Sequence, residues 1–325
     1  MPLPRPEWID PSGDFPLSSG PAGGRLAAVN EPAQLTLATR SIRVVLVPAS
    51  GGRVASLVHL RTGREWLWRP QPALHFPAVA TGASFTDGPL TGIDECLPTV
   101  AGCTIGGRDF GDHGDAWTQA WSVLAASAHE VSLQVAVPGG GLQLTRTLRL
   151  SEDTVTLDYT LHNRGPAAEP WLWSFHPLFR FEPGDRFELP AGVTRLRVNG
   201  SLNLPGAVAG GPVAWPSPGP GIDLARLDFG AQAPGYLKGF AENVAIGRAA
   251  VHAASGRERL EIGFDPAATP HLGVWITHGG WRGVRHGAIE PCTAATDSLA
   301  DMHPPARLAP GATARWWVTL RCVAD

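Results

Sequence analysis

Short runs of alternating or β-branched apolar residues recur along the chain from about residue 36 onward, and turn signals separate them. The clearest runs are residues 41–47, 52–60, 130–137, 141–150, 154–161 and 259–264. Alternation with a period of two is typical of half-buried strands, and Gly-Gly or Pro-Gly pairs between the runs supply turns. No helical stretch carries caps at both ends. The pattern therefore predicts an all-β protein with few, short helices.

The spacing of these runs is even along the chain, with no internal repeat and no Pro/Ser-rich linker. Such spacing favours one large antiparallel β-sandwich spanning residues 1–325 over two smaller domains. Residues 1–30 are predicted to form an N-terminal extension of that domain. Residues 200–222, dense in glycine and proline, are predicted to form a long surface loop.

Composition narrows the classes of partner and location. The formal net charge is −3 and Lys238 is the only lysine, so no basic stripe exists for nucleic acid. No run of about eighteen apolar residues and no hydrophobic signal core occur, so we expect a cytoplasmic protein without a membrane partner. The four cysteines lack Cys-x-x-Cys spacing and are predicted to be buried thiols rather than zinc ligands.

Two strand-ending motifs each carry one titratable side chain. They are Trp-Ser-Phe-His-Pro at 173–177 and Ala-Ile-Glu-Pro-Cys-Thr at 288–293. Proline disfavours helical backbone for the residue before it, so His176 and Glu290 should lie on extended chain. If the two strands are neighbours, this imidazole and this carboxylate can exchange protons with a substrate near neutral pH.

Alternation assigns these two residues to particular faces of their strands. His176 should point away from the aromatic residues Trp173 and Phe175, and Glu290 should share a face with His286. Two simpler interpretations remain open: the histidine could be a satisfied core residue, and the carboxylate could face water. A buried carboxylate would need a partner or a raised pKa.

Two further polar segments interrupt the apolar pattern. Asp-His-Gly-Asp at 112–115 contains His113, and Gly-Ile-Asp-Glu-Cys at 92–96 contains Asp94 and Glu95. Two acids beside a histidine could bind a metal, but no second histidine stands at ligand spacing, so we expect none. A solvated turn and a charged hairpin are the alternatives. The twelve tryptophans suggest a carbohydrate cleft, because tryptophan faces stack on the C–H faces of sugars.

The order of these segments resembles the aldose 1-epimerase (galactose mutarotase) family. The resemblance spans most of the chain and rests on six short segments taken together. They are Gly-Gly-Arg-Val-Ala-Ser-Leu at 51–57, Thr-Gly-Arg-Glu-Trp-Leu at 62–67, His-Gly at 113–114, His-Pro at 176–177, Glu-Pro-Cys-Thr at 290–293 and Leu-Ala-Pro-Gly at 308–311. The resemblance implies a large antiparallel β-sandwich of many strands, which agrees with the strand pattern.

The resemblance also implies roles for three residues. Glu290 would be the base that takes the proton of the sugar's anomeric hydroxyl, and His176 the acid that protonates the ring oxygen. His113 would hydrogen-bond the sugar near that oxygen. The ring opens, the C1–C2 bond rotates, and reclosure gives the other anomer without a cofactor. Acid and base each contribute roughly 10²- to 10⁴-fold to such a step.

The identity of the sugar stays open, because residues 77–91 offer no counterpart to the family's early Asn and Arg pair. We expect Asp94, Glu95 and Lys238 to contact sugar hydroxyls instead. One alternative is a hexose-phosphate epimerase, in which Lys238 and several arginines would bind the phosphate; the candidates are Arg180, Arg282 and Arg285. The other alternative is a carbohydrate-binding protein without turnover. The catalytic hypothesis requires His176 and Glu290 at facing positions.

Overall fold

The computed structural model describes residues 33–70, 76 and 78–325, and the regular secondary structure of this part of the chain is almost entirely β-strand. The strands are β1 Leu35–Ala38, β2 Ile42–Val47, β3 Arg53–His59, β4 Arg64–Glu65, β5 Ile93–Cys96, β6 Cys103–Ile105, β7 Arg108–Phe110, β8 Ser122–Ala126, β9 Glu130–Ala136, β10 Leu142–Ser151, β11 Thr154–Asn163, β12 Glu169–Pro170, β13 Ser174–Pro177, β14 Phe179–Arg180, β15 Arg186–Glu188, β16 Arg195–Leu202, β17 Pro212–Ala214, β18 Gly235–Ala241, β19 Arg248–His252, β20 Glu258–Phe264, β21 His271–His278, β22 Arg285–Cys292, β23 Arg307–Leu308 and β24 Thr313–Ala324.

Helical structure within these residues is confined to single turns of 3₁₀ helix. They are Phe85–Asp87, Ala116–Thr118, Leu224–Arg226, Gly230–Gln232 and Leu299–Asp301. The predicted all-β class with few short helices is confirmed. None of the helices in the described residues is long and apolar enough to cross a membrane.

Two large sheets contain most of the strands. The larger has twelve strands in the order β1-β2-β3-β5-β13-β22-β21-β18-β16-β17, with β4 beside β3 and β14 beside β22. The smaller has eight in the order β15-β19-β20-β24-β11-β10-β9-β8. The central strands of the larger sheet pair antiparallel, which the short connections between most runs permit.

The core lies between the two sheets. One hydrophobic cluster draws buried residues from both, including Ile289 of β22 and Val318 of β24. Aromatic rings join the layers, because Trp173 packs with Tyr159 and with Trp316, in each case with ring centroids 4.9 Å apart. The aromatic face predicted for residues 171–175 is therefore the core face of the larger sheet.

Alternation along the central strands then fixes which side chains leave the core. Phe175 pairs directly with Glu95, and the next pair along the same two strands is His176 with Asp94. Because successive side chains point to opposite faces, the first pair enters the core and the second reaches the outer face of the larger sheet. That outer face carries the candidate site.

The carboxylate of Glu95 is held inside the sandwich by three donors. Its Oε1 accepts hydrogen bonds from Arg146 at 2.9 Å and from the Tyr159 hydroxyl at 2.8 Å. Its Oε2 accepts one from the Trp173 indole N–H at 2.9 Å. Glu95 is fully buried and Arg146 almost so, which makes this an ion pair between the two sheets.

The surface loop predicted for residues 200–222 is revised. In the segment 200–222, residues 200–202 complete β16 and Pro212–Ala214 forms β17, so the loop is interrupted by sheet pairing. The segment after His113 forms a 3₁₀ turn at Ala116–Thr118, and the next strand begins only at Ser122. The predicted extension at residues 1–30 lies outside the described residues.

We expect Glu95→Gln to lower the free energy of unfolding by about 3–5 kcal/mol, because it leaves the Arg146 charge buried without a counter-charge. The matched control is Glu130→Gln, which breaks an exposed pair with Arg149 and should cost less than about 1 kcal/mol. Urea unfolding at unchanged m-value measures both. Equal midpoints for the two variants would contradict the structural role of Glu95.

Candidate active site

His176 and Glu290 face one another across neighbouring strands. Ser174 of β13 pairs with Cys292 of β22, and Phe179 of β14 pairs with Gly287 of the same strand in the same register. Continuing that register between the two pairs sets position 176 opposite position 290. Both side chains line one cleft on the outer face of the larger sheet. The two strand-ending motifs are therefore spatial neighbours.

His176 is almost fully buried and has carboxylates close by. Its Nδ1 lies 3.8 Å from Asp94 Oδ2, too far for a hydrogen bond, and this nitrogen has no hydrogen-bond partner. Asp94 in turn forms a 2.5 Å ion pair with Arg53 of β3. Burial lowers the pKa of His176, and the attraction of Asp94 and Glu290 opposes this only in part. The imidazolium of His176 is consequently a stronger acid than that of an ordinary histidine.

His113 reaches the same cleft from a tight turn. Its backbone is left-handed, with φ of 58°, and the residue that follows is a glycine. The Nδ1 atom is 2.7 Å from Asp112 Oδ1, and the ring stacks on Phe85 at a centroid distance of 4.0 Å. The His113 ring also meets His176 edge to face at 4.8 Å. With Nδ1 bonded to the carboxylate, Nε2 is left for a ligand.

Glu290 is buried, and only one of its two carboxylate oxygens accepts hydrogen bonds. Its Oε2 accepts a hydrogen bond from Lys238 Nζ at 2.5 Å and a longer one from the Ser174 hydroxyl at 3.4 Å. Its Oε1 has no hydrogen-bond partner. An unpaired buried carboxylate oxygen beside a cleft is a ready proton acceptor.

Lys238 connects Glu290 to a second acid, Asp297. The ammonium lies 3.5 Å from Asp297 Oδ1, and the other oxygen of Asp297 accepts a 2.7 Å hydrogen bond from the Asn199 side chain. Two carboxylates thus share one buried cation. Lys238 is also one of the residues that line the cleft.

Burial and neighbouring charges together shift the pKa values of Glu290, Asp297 and Lys238. Burial would raise the pKa of Glu290, but the charges of Lys238 and of the nearby histidines reverse this and hold it below its ordinary value. Burial raises the pKa of Asp297, which Lys238 offsets only in part. Burial would lower the pKa of Lys238, yet Asp297 and Glu290 raise it above its ordinary range. Of these two acids, Glu290 is the one whose pKa is held below its ordinary value.

A glycine makes room for the ion pair between Lys238 and Glu290. The two residues lie on β18 and β22, which are separated by β21. Gly273 of β21 pairs directly with Glu290, and a Cβ atom at 273 would lie only 2.9 Å from Glu290 Oε2. A side chain there would occupy the space into which the ammonium reaches.

The walls of the cleft are aromatic and apolar. They are formed by Phe85, Val100, Leu178, Trp275, Trp281 and the neutral ring of His286. Burial lowers the pKa of His286 to about 3, with a smaller effect of His176, so this ring carries no charge. Such a wall beside a few converging polar groups is typical of small-molecule sites.

The structure brings four of the predicted site residues to this cleft: His113, His176, Lys238 and Glu290. Glu95 does not reach it, because it points into the sandwich core. Asp94 lies on the outer face but behind His176, where Arg53 occupies its carboxylate. Neither acid is placed to contact a sugar, which corrects that expectation for both.

Sequence reasoning missed Asp297 and the wall residues Phe85, Trp281 and His286. Asp297 follows the Glu-Pro-Cys-Thr motif by a few residues and has no distinctive neighbours. The tryptophan count signalled an aromatic cleft, but it did not say which rings line it. Four of the tryptophans in the described residues are buried in the main core instead, among them the fully buried Trp66 and Trp173.

Neither family models nor curated protein sequences match this chain. Solved structures do. A protein of Synechocystis sp. PCC 6803 is 16% identical, with a TM-score of 0.70, over 94% of this chain and 100% of that chain. A galactose mutarotase-like protein of Lactobacillus casei ATCC 334 is 15% identical, with a TM-score of 0.63, over 89% of this chain and 100% of that chain. A galactose mutarotase related enzyme of Lactobacillus acidophilus is 14% identical, with a TM-score of 0.64, over 90% and 98%. The chain thus has the galactose mutarotase-like β-sandwich fold.

Proposed function

We propose that this protein is a cytoplasmic aldose 1-epimerase that interconverts the α and β anomers of a free aldose. One observation carries the proposal: His176 and Glu290 occupy facing register positions on neighbouring strands and line the same aromatic-walled cleft. An acid and a base on either side of a hemiacetal are what ring opening needs. The four free cysteines support a reducing compartment.

The unpaired Oε1 of Glu290 is the atom that we assign as base. It takes the proton of the anomeric hydroxyl while protonated His176 gives its proton to the ring oxygen. The bond between C1 and the ring oxygen breaks and an aldehyde forms. After rotation about C1–C2, His176 takes back the proton of the freed hydroxyl, and Glu290 returns its proton to the carbonyl oxygen. No proton is gained or lost over the cycle.

The supporting residues act through these two. Lys238 keeps Glu290 ionised and lines the cleft. Asp94, itself neutralised by Arg53, stabilises the imidazolium form of His176 from behind. His113, fixed by Asp112, offers Nε2 to the sugar near its ring oxygen. Trp281 and Trp275 give the C–H faces of a sugar an apolar surface.

A phosphorylated sugar fits this cleft less well. Arg180 is paired with Glu182 at 3.0 Å. Arg285 donates to the carbonyls of Phe181 and Arg226. Lys238 lines the cleft but is already shared by two carboxylates, and Arg282 lies over the Trp281 ring at 5.8 Å, outside the cleft lining. These arrangements leave no cluster of free cations for a phosphate among the described lining residues.

Glu290→Gln should slow enzyme-catalysed mutarotation by about 10²- to 10⁴-fold, because the amide keeps the shape of the side chain but cannot accept the proton. The assay follows freshly dissolved α-anomers of galactose, glucose and xylose by polarimetry or NMR, with the spontaneous rate subtracted. Glu188→Gln, an exposed glutamate paired with His252, is the control and should retain the wild-type rate. Equal rates for wild type and Glu290→Gln would refute the mechanism.

The pH profile should identify Lys238 as the group that keeps Glu290 ionised. The reactive form has ionised Glu290 and protonated His176, so kcat/KM should fall above an apparent pKa lower than the ordinary histidine value of about 6.5. Lys238→Met removes the main charge that lowers the pKa of Glu290, so the acidic limb should move to higher pH. Lys238→Arg should leave that limb nearly in place.

The single lysine offers an independent readout of the same pair. Labelling with ¹⁵Nζ-lysine gives one side-chain signal, which should stay in the ammonium form well above the ordinary lysine pKa in wild type. In Glu290→Gln the signal should titrate at lower pH. An acidic limb unmoved by Lys238→Met would show that Lys238 does not control the base.

A further inference from the structure

A sulfur atom and two imidazole nitrogens converge beneath the cleft. The Cys96 Sγ and one ring nitrogen each of His113 and His176 all lie within 4.8 Å of one another. Cys96 is on β5, His176 is on β13, and His113 lies on the turn that follows β7. Sequence spacing argues against a metal because no second histidine stands near His113, but strand pairing supplies one from 63 residues away.

The strand register makes this convergence a property of the sheet. Ser174 of β13 pairs with Cys96 of β5, and His176 pairs with Asp94 two positions along. Alternation therefore puts Cys96, Asp94 and His176 on the same outer face. The thiol is fully buried, so it faces the histidines and not the solvent.

Both histidines are prepared for a ligand of this kind. His176 is almost fully buried, and its Nδ1 has no hydrogen-bond partner, which is a costly state for a buried polar atom. His113 bonds Asp112 through Nδ1, the carboxylate–histidine arrangement that orients metal-binding imidazoles and leaves Nε2 as the donor. Asp94 Oδ2 lies 3.8 Å from His176 Nδ1, too far for a hydrogen bond, so no carboxylate holds this ring as Asp112 holds His113.

We propose that Cys96, His113 and His176 form a binding site for a thiophilic divalent cation of the Zn²⁺ class. One thiolate and two imidazoles suit Zn²⁺ and Co²⁺ rather than Mg²⁺ or Ca²⁺, and three protein ligands leave a fourth position open toward the cleft. The thiol proton is released to solvent as the metal–sulfur bond forms.

The distances fit this proposal after a small closure. Ligand atoms around tetrahedral Zn²⁺ lie about 3.5 Å apart, given metal–sulfur and metal–nitrogen bonds of about 2.3 and 2.1 Å. The trio must therefore contract by about 1 Å. The closure is assigned to His113, whose side chain is 14% exposed on a turn, because the other two residues are packed on strands.

A metal bound at this site would affect the proposed epimerase activity. This effect is the only part of the proposal that rests on the proposed function. A metal on the His176 ring would compete with the proton that the ring must carry to act as the acid. The metal-bound protein should therefore be inactive as an epimerase. Metal binding itself can be measured without any activity.

The test is titration of the chelator-treated full chain with Co²⁺, followed by absorbance. We expect one Co²⁺ per chain, a thiolate-to-cobalt charge-transfer band in the near ultraviolet, and visible bands of four-coordinate cobalt. Zn²⁺ should displace the Co²⁺. Cys96→Ala should lose the charge-transfer band and bind at least about 10- to 100-fold more weakly, the loss usual when even an outer partner of a metal ligand is removed.

Cys292→Ala is the matched control, because Cys292 is equally buried and pairs with Ser174 on the other side. It should keep the full spectrum. If Cys96→Ala unfolds, His113→Asn provides the second variant, because asparagine tolerates the left-handed backbone of this turn position. Absence of the band in wild type, or an unchanged band in Cys96→Ala, would overturn the site. Loss of the band in Cys292→Ala alone would also overturn it.

Discussion

The central strands depend on matched buried charges. Three carboxylates are buried there, and each pairs with a cation from a different strand: Asp94 with Arg53, Glu95 with Arg146, and Glu290 with Lys238, which Asp297 shares. An isolated buried charge would cost several kcal/mol, so each pair ties its two strands together. Two of the pairs join strands of the larger sheet, β3 to β5 and β18 to β22. The third joins β5 of the larger sheet to β10 of the smaller one.

The pairs differ in how completely they satisfy the carboxylate, and this difference separates structure from chemistry. Both oxygens of Glu95 accept hydrogen bonds from the core. Glu290 is satisfied at Oε2 and left unpaired at Oε1, which borders the cleft. A carboxylate that an ammonium group keeps ionised, and that has one oxygen without a hydrogen-bond partner, is a suitable base. The same demand for charge matching thus stabilises one glutamate and activates the other.

The fold was predictable because its signals are local. Period-two alternation in runs such as 142–151 and 154–163 needs no distant partner to be recognised, and those two strands form a hairpin with an unbroken register. The faces of His176 and Glu290 follow from the same rule. That the two residues are spatial neighbours does not follow from this rule, because the pairing of residue 174 with residue 292 joins strands more than a hundred positions apart in the sequence. Only the family resemblance pointed to it.

The same rule explains the failure at Asp94 and Glu95. Adjacent residues of a strand point to opposite faces, so the two acids could not both have contacted a sugar. If one of the two acids lay on the outer face of the sheet, the other had to point into the core and needed a buried cation there. Which of the two would do so depends on Arg146, which lies 51 residues away on the other sheet. Gly273 shows the limit of local signals most clearly: a glycine inside a strand has no local purpose, and its use appears only when Lys238 and Glu290 are seen to meet across it.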